Sequence, residues 1–468
     1  MQFGRALQRV LTTIVHANAR YGPVYMAKID IADGFYRVWV AIHDVPKLGV
    51  ALPVSPGSVP LVAFPLALPM GWIDSPPYFT SVTETICDEA NSLLSQPGDL
   101  RLQYPHHLEA VAATPPMENA GTQLPTPVHV LPPSPHGGAT CTKMPVAAVD
   151  VYVGDFLLLA QTRHQQQRVV RASLHSIDGV LRPLGDSDPP ERKEPASVKK
   201  MLKGDVHWSP QKRMLGWDID SSDLTLNLPP HRVARCREVL AWLTPPRRRL
   251  PTAQWHQLLG ELRSMSPALP GTCGLFSVLQ QALSRGDSKR VRLNQHVYDT
   301  AADFTHLLDS LARRPHRLHE LVPTLPIAIG ASDACQRGMG GVWLDAHSRS
   351  PPIVWRQAFA PHVSADMVSD RNPRGSLSIS DLELTAIIAH KDILAHARDV
   401  RERTIWIASD NQAAEHGPRR VPALRWQPGP ISCATMPCIS AATVIWPATI
   451  TFQAPSTRWP TTPVAGGI

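Results

Sequence analysis

Val151-Tyr152-Val153-Gly154-Asp155-Phe156-Leu157-Leu158-Leu159 is an apolar run with an acidic tip. Composition on both sides suits strands, and Gly154-Asp155 suits the reversal between them, so residues 147 to 160 read as a buried hairpin. A carboxylate held at the end of such a hairpin is a candidate for chemistry, provided a second acid is brought to it.

A second acid lies upstream, in Lys28-Ile29-Asp30-Ile31-Ala32-Asp33-Gly34-Phe35-Tyr36-Arg37-Val38. Apolar residues there cluster in two strand-like runs, Tyr25 to Ile31 and Tyr36 to Ile42, joined by Asp33-Gly34. Leu68-Pro69-Met70-Gly71-Trp72-Ile73-Asp74-Ser75-Pro76-Pro77-Tyr78-Phe79 follows as a Pro-rich approach to a helix that runs on to Leu94. Gly71 permits close backbone approach, and Ser75-Pro76 is a helix start. Leu215-Gly216-Trp217 is a short turn further on.

In this order the four segments resemble the palm of a retroelement, Pol-type reverse transcriptase. The resemblance covers roughly residues 5 to 95 and 147 to 415. It implies RNA-directed DNA synthesis with magnesium, deoxynucleoside triphosphates, an RNA template and a DNA primer or RNA–DNA hybrid. Phosphoryl transfer of this kind uses two divalent ions bridged by carboxylates, and hard magnesium prefers oxygen ligands. The resemblance assigns metal binding to Asp30, Asp155 and the main-chain carbonyl of Ile31. It makes Phe35 the steric gate beneath the incoming sugar, places Gly71 at the nucleotide or template, and makes Leu215, Gly216 and Trp217 the primer grip.

The chain departs from the family at its best-supported metal ligand. The hairpin usually carries two adjacent aspartates, and the first is Gly154 here. Losing that carboxylate implies a degenerate copy without polymerase activity. Asp150 and Asp33 stand near enough in sequence to be considered as substitutes, although a strand would carry Asp150 away from the tip. The short stretch before Asp30 also implies that the fingers subdomain is absent.

A second carboxylate set follows. Ile329 to Val342 contains Asp333 and then a Gly-rich turn, Leu382-Glu383-Leu384-Thr385-Ala386 reads as helical, and Ile405 to Asn411 reads as a strand ending in Asp410. This resembles a ribonuclease H-like domain, with Asp333, Glu383 and Asp410 implied as magnesium ligands. That domain's fourth carboxylate is absent in this reading frame. Back-translation of residues 453 to 467 in a shifted frame permits Gly-x-x-Asn-x-x-Ala-Asp, so a frameshift near residues 411 to 416 is expected.

Composition fits a nucleic-acid partner without proving one. The 468 residues carry a net charge of +7, with arginine runs such as Arg247-Arg248-Arg249 and the pair Lys199-Lys200. Forty-seven prolines imply long irregular connections, and seven scattered cysteines offer neither a zinc pattern nor a disulfide framework. No apolar run is long enough for a bilayer, so no membrane partner is expected, and the location is cytoplasmic or nuclear rather than secreted.

The expected fold is α+β followed by α/β. Residues 1–95 form the first part of the palm, 96–146 a Pro/His-rich disordered insertion without a core, and 147–245 the palm hairpin and primer-grip region. Residues 246–322 form a helical thumb or connection, 323–415 an incomplete ribonuclease H-like domain, and 416–468 an out-of-frame tail. Two other functions remain open: a non-catalytic nucleic-acid-binding remnant, and a ribonuclease H-type nuclease.

Overall fold

The computed structural model describes residues 5–409 apart from 55–58, 60, 97, 114–141, 267–271, 287–288, 348–349, 371 and 401–402. Asp410, most of the Pro/His-rich insertion and the whole tail from residue 416 lie outside the described residues. The chain divides after Thr324 into two compact units of mixed α and β structure.

At the centre of the first unit is a three-stranded antiparallel sheet ordered Tyr25–Asp30, Asp155–Ala160, Ala147–Tyr152. Its middle strand is the apolar run, and the reason for that run is burial on both faces. Ala27, Ile29, Phe156 and Leu158 join a core completed by the helices Ser75–Ser95 and Arg163–Val180. Met26, Leu157 and Leu159 face the other way, against Leu7, Val10, Leu11, Ile14 and Val15 of the helix Ala6–Val15. Each such side chain stabilises the fold by about 1.5–3 kcal/mol when fully buried.

Two expectations need correction. Tyr36 to Ile42 is not a strand: Gly34–Arg37 is a 3-10 turn entered through Asp33 in the left-handed region at φ 56°. Arg37 causes this, because its guanidinium donates to the carbonyls of Ala32, Lys193 and Glu194 and curls the chain back. The alternating Val38 and Val40 bond instead to Leu68 and Leu66 across an irregular pairing. The root of the insertion also contributes to a core. Leu108 is buried and Glu109 makes a two-bonded ion pair with Arg171, so residues 98–113 pack against the helix Arg163–Val180.

Downstream, Gln211–Met214, Trp217–Asp220 and Thr225–Asn227 form a meander that His316–Arg317 extends to four strands. Four helices follow, Pro230–Ala241, Thr252–Met265, Cys273–Ser284 and Gln295–Arg313, around Trp255, Leu258, Leu262 and Phe304.

In the second unit a four-stranded sheet is ordered Ile353–Ala358, Gly338–Asp345, Pro326–Cys335, Thr404–Ala408. Its last pair is parallel, and the crossover between those strands includes the helix Ile379–Ala397. Ser378 starts that helix with a capping box closed by Asp381.

Candidate carboxylate site

Strand register brings the two expected acids together. Asp30 ends one strand and Asp155 begins its neighbour, and the two are direct cross-strand partners. Opposite residues on antiparallel strands hold their Cβ atoms about 4.5–5.5 Å apart, within reach of one shared cation. The apolar residues that drive the pairing therefore deliver two carboxylates to one end of the sheet, 125 positions apart in the chain.

Three contacts fix the tip. Tyr152 pairs with Asp155, which leaves Val153-Gly154 as a two-residue turn. Val153 takes the left-handed conformation at φ 57°, a strained choice for a β-branched residue, and its carbonyl accepts from Thr83 Oγ1 at 2.5 Å. The Gly154 carbonyl accepts from the Ile31 amide at 3.3 Å, tying the tip to the strand that carries Asp30. Gly154 itself lies outside the left-handed region, so its backbone accepts other residues. A Cβ there would stand 3.2 Å from the Phe79 ring. A Cβ at position 154 thus requires this buried ring to shift by a few tenths of an ångström.

Lys200 is the residue that sequence reasoning did not place. Residues 195 to 209 run beside Tyr25–Asp30: Pro195 accepts from Ala32, Ser197 donates to the Asp30 carbonyl, and Asp205 and Ser209 bond to Lys28 and Met26. This pairing carries Lys200 Nζ to 2.9 Å from Asp30 Oδ2. Burial pushes the Asp30 carboxyl up, Lys200 pulls it back, and Asp155 raises it further, to about 6. Burial lowers the Lys200 ammonium, but the bond to Asp30, with Asp155 and Asp205 nearby, outweighs it and leaves it raised. The basic pair Lys199-Lys200 was visible as charge; its reach to Asp30 depends on long-range pairing.

The proposed substitutes for a carboxylate at 154 are otherwise engaged. Asp150 pairs with Leu157 in the sheet, three positions before the Val153-Gly154 turn, and both its oxygens accept from Arg9 at 2.8 and 2.5 Å. Asp33 is exposed and paired with Lys193 at 2.9 Å.

Phe35 is half-buried against Phe79, with ring centroids 4.8 Å apart, close to the tip. Gly71 adopts φ 98°, a conformation open essentially to glycine, with nothing within 4 Å of where a Cβ would stand. Leu215 and Gly216 form a two-residue turn, both with positive φ. Trp217 is fully buried in the core, so any primer contact from this turn would come from Leu215 and Gly216.

The second set is arranged differently. Asp333 is exposed on its strand, alternating with the buried Ser332 and Ala334 that face the helix Ile379–Ala397. Glu383 is buried on that helix and accepts from the Ala334 amide at 3.2 Å. Asp333 thus leaves its strand on the face away from the helix, while Glu383 reaches the amide of the next residue from the helix side.

No family model matches this chain, and no curated protein matches it. Among solved structures it is similar to the foamy viral protease-reverse transcriptase dRH in complex with double-stranded DNA, at 12% identity and a TM-score of 0.39, over 86% of this chain and 51% of that one. Similar values hold for the foamy viral protease-reverse transcriptase with RNA/DNA hybrid (12%, 0.39, 89% and 43%) and with double-stranded DNA (11%, 0.39, 85% and 61%). The chain spans about half the length of these structures. Among the described residues no helix is long and apolar enough to cross a membrane.

Proposed function

We propose that residues 1–95 and 147–245 are the palm of a retroelement reverse transcriptase, with 246–322 its thumb or connection, an RNA-directed DNA polymerase by descent that is inactive in this copy. The observation that supports this most is the direct cross-strand pairing of Asp30 with Asp155 at the strained tip of a buried hairpin. Phe35 beside that tip suits the sugar gate, and the open Gly71 suits a nucleotide or template contact.

The donor set fits one hard divalent ion better than two. Asp30, Asp155 and the Ile31 carbonyl are oxygen donors, and a raised carboxyl beside a second acid is a pair that a cation stabilises. Magnesium held by these three groups would supply Lewis-acid polarisation of a phosphoryl oxygen. What the chain's own residues do is orient: the sheet sets the separation of the carboxylates, Thr83 fixes the tip, and Lys200 neutralises Asp30. Gly154 supplies no side-chain oxygen for a second ion, and this is the basis for inactivity.

Primer extension on an RNA template with magnesium and deoxynucleoside triphosphates tests the reading. The expected result is no extension by the native chain and measurable extension by Gly154→Asp. Extension by the native chain refutes inactivity; a silent Gly154→Asp variant that binds hybrid removes the explanation offered for it.

A binding remnant is the second reading, favoured by the exposure of Arg247, Arg248 and Arg249. Salt-sensitive hybrid binding without turnover supports it. A ribonuclease H-type nuclease working through Asp333, Glu383 and Asp410 is a weaker proposal, because Asp333 leaves its strand on the face away from the helix that holds Glu383.

A further inference from the structure

We propose that His106, His107, Asp178 and Glu194 form a binding site for a zinc-class transition-metal ion, separate from the carboxylate pair and independent of the polymerase reading. Ligand atoms of His106, His107 and Asp178 all lie within 4.8 Å of one another, and among the described residues no other His, Cys, Asp or Glu group gathers as closely. His106 Nε2 is 2.8 Å from Asp178 Oδ2, and His107 Nε2 is 3.0 Å from Glu194 Oε1. The two imidazoles stack with centroids 4.3 Å apart and planes 28° from parallel, so their in-plane lone pairs run side by side and the exposed His107 ring must turn to share one ion with His106. Glu194 Oε2 is buried with no hydrogen-bond partner among the described residues, a lone pair left over for an ion.

Two imidazole nitrogens and two carboxylate oxygens are the donor set of a four-coordinate zinc, cobalt or nickel site rather than a magnesium site. Their charges would leave a bound dication neutral overall. His106 is buried and fixed, whereas His107 is exposed, giving an entry route from solvent. Two features limit affinity. His106 Nδ1 accepts from the Leu108 amide at 3.1 Å, so the ring carries its proton on Nε2. Coordination through Nε2 moves that proton to Nδ1, with no net release, and costs Leu108 its acceptor. Arg37 also lies close enough to Asp178 and Glu194 to feel both charges. Loss of a supporting contact weakens a metal site roughly 10–100-fold.

Such a site would brace the support of Asp30. Glu194 directly precedes Pro195 and Ala196, which bond to Ala32 and bridge to Ile31, while His106 and His107 hold the root of the insertion. An ion would clip insertion root, helix and support loop together without touching Asp30 or Asp155.

Cobalt titration of the tag-free full chain, followed by visible absorption, tests this, with magnesium as control. The expected result is one cobalt per chain with the intense bands of tetrahedral coordination, and none of this with magnesium. Both His107→Asn and Glu194→Gln should weaken cobalt binding by about tenfold or more while far-ultraviolet circular dichroism stays native. Absence of tetrahedral bands at saturating cobalt overturns the proposal, as does an undiminished affinity in His107→Asn.

Discussion

The two carboxylate sets of this chain differ in how their members are brought together. Asp30 and Asp155 are opposite one another on neighbouring strands, so the register that buries Ile29, Phe156 and Leu158 also sets their separation. Asp333 and Glu383 come from a strand and a helix, and the alternation of the strand turns Asp333 away from the helix that holds Glu383. Cross-strand pairing makes a site as a consequence of folding, whereas strand-to-helix convergence needs a rotation that the core does not dictate. The two units also respond oppositely to acid. Burial raises Asp30 to about 6 in the first, and burial lowers His390 to about 4 in the second.

The largest effect expected on this contrast comes from Phe79. Its ring is 2% exposed, packs on Phe35 and lies against both Gly34 and Gly154. Phe79→Ala should cost about 3–5 kcal/mol in urea denaturation and loosen the tip along with the core. A loss under about 1 kcal/mol would mean that the tip is not supported by this ring.

Acid should separate the units next. His390 is stacked on Trp343 at 4.0 Å and accepts from Trp355 Nε1 at 2.8 Å, so the folded chain keeps it neutral. Its folded value is depressed, so its contribution is present above about 6.5 and lost as pH falls through about 4. The second unit should lose up to about 3 kcal/mol over that window, and His390→Leu should flatten the loss. Amide exchange in Pro326–Cys335, corrected for intrinsic pH dependence, measures it.

Asp30 has the opposite sign. Its folded value is raised, so its contribution is present below about 4 and lost as pH rises through about 6. Asp30→Asn should therefore remove up to roughly 2–3 kcal/mol of pH-dependent stability from the first unit, with the wild type gaining relative to the variant on acidification. Identical pH profiles for variant and wild type contradict the burial of this acid. The smallest effect belongs to a helix start: Ser378→Ala should destabilise the second unit by about 1 kcal/mol in thermal melts, through loss of its bond to the Asp381 amide.

Much of the first unit was legible from residues alone. The helix Ala6–Val15 buries Leu7, Val10, Leu11, Ile14 and Val15, the five positions that helical spacing picks out. The hairpin was legible because turn chemistry and a doubly buried apolar run are both local signals. Tyr36 to Ile42 misled because its alternation is real but Arg37 bonds to distant carbonyls and curls the chain. Lys200 was invisible as a partner of Asp30 for a similar reason, since its position depends on pairing across more than 160 residues. His106 looked like low-complexity sequence, and its burial and its hydrogen bond with Asp178 reveal a packed side chain.

The central claim is that Asp30 and Asp155 share one partly buried site. Carboxyl-carbon NMR titration of Asp30, in the native chain and in Asp155→Asn, tests it most directly. The account predicts a midpoint near 6 in the native chain, set first by burial, that moves down once Asp155 loses its charge. An Asp30 that titrates near 4 in both proteins would contradict it.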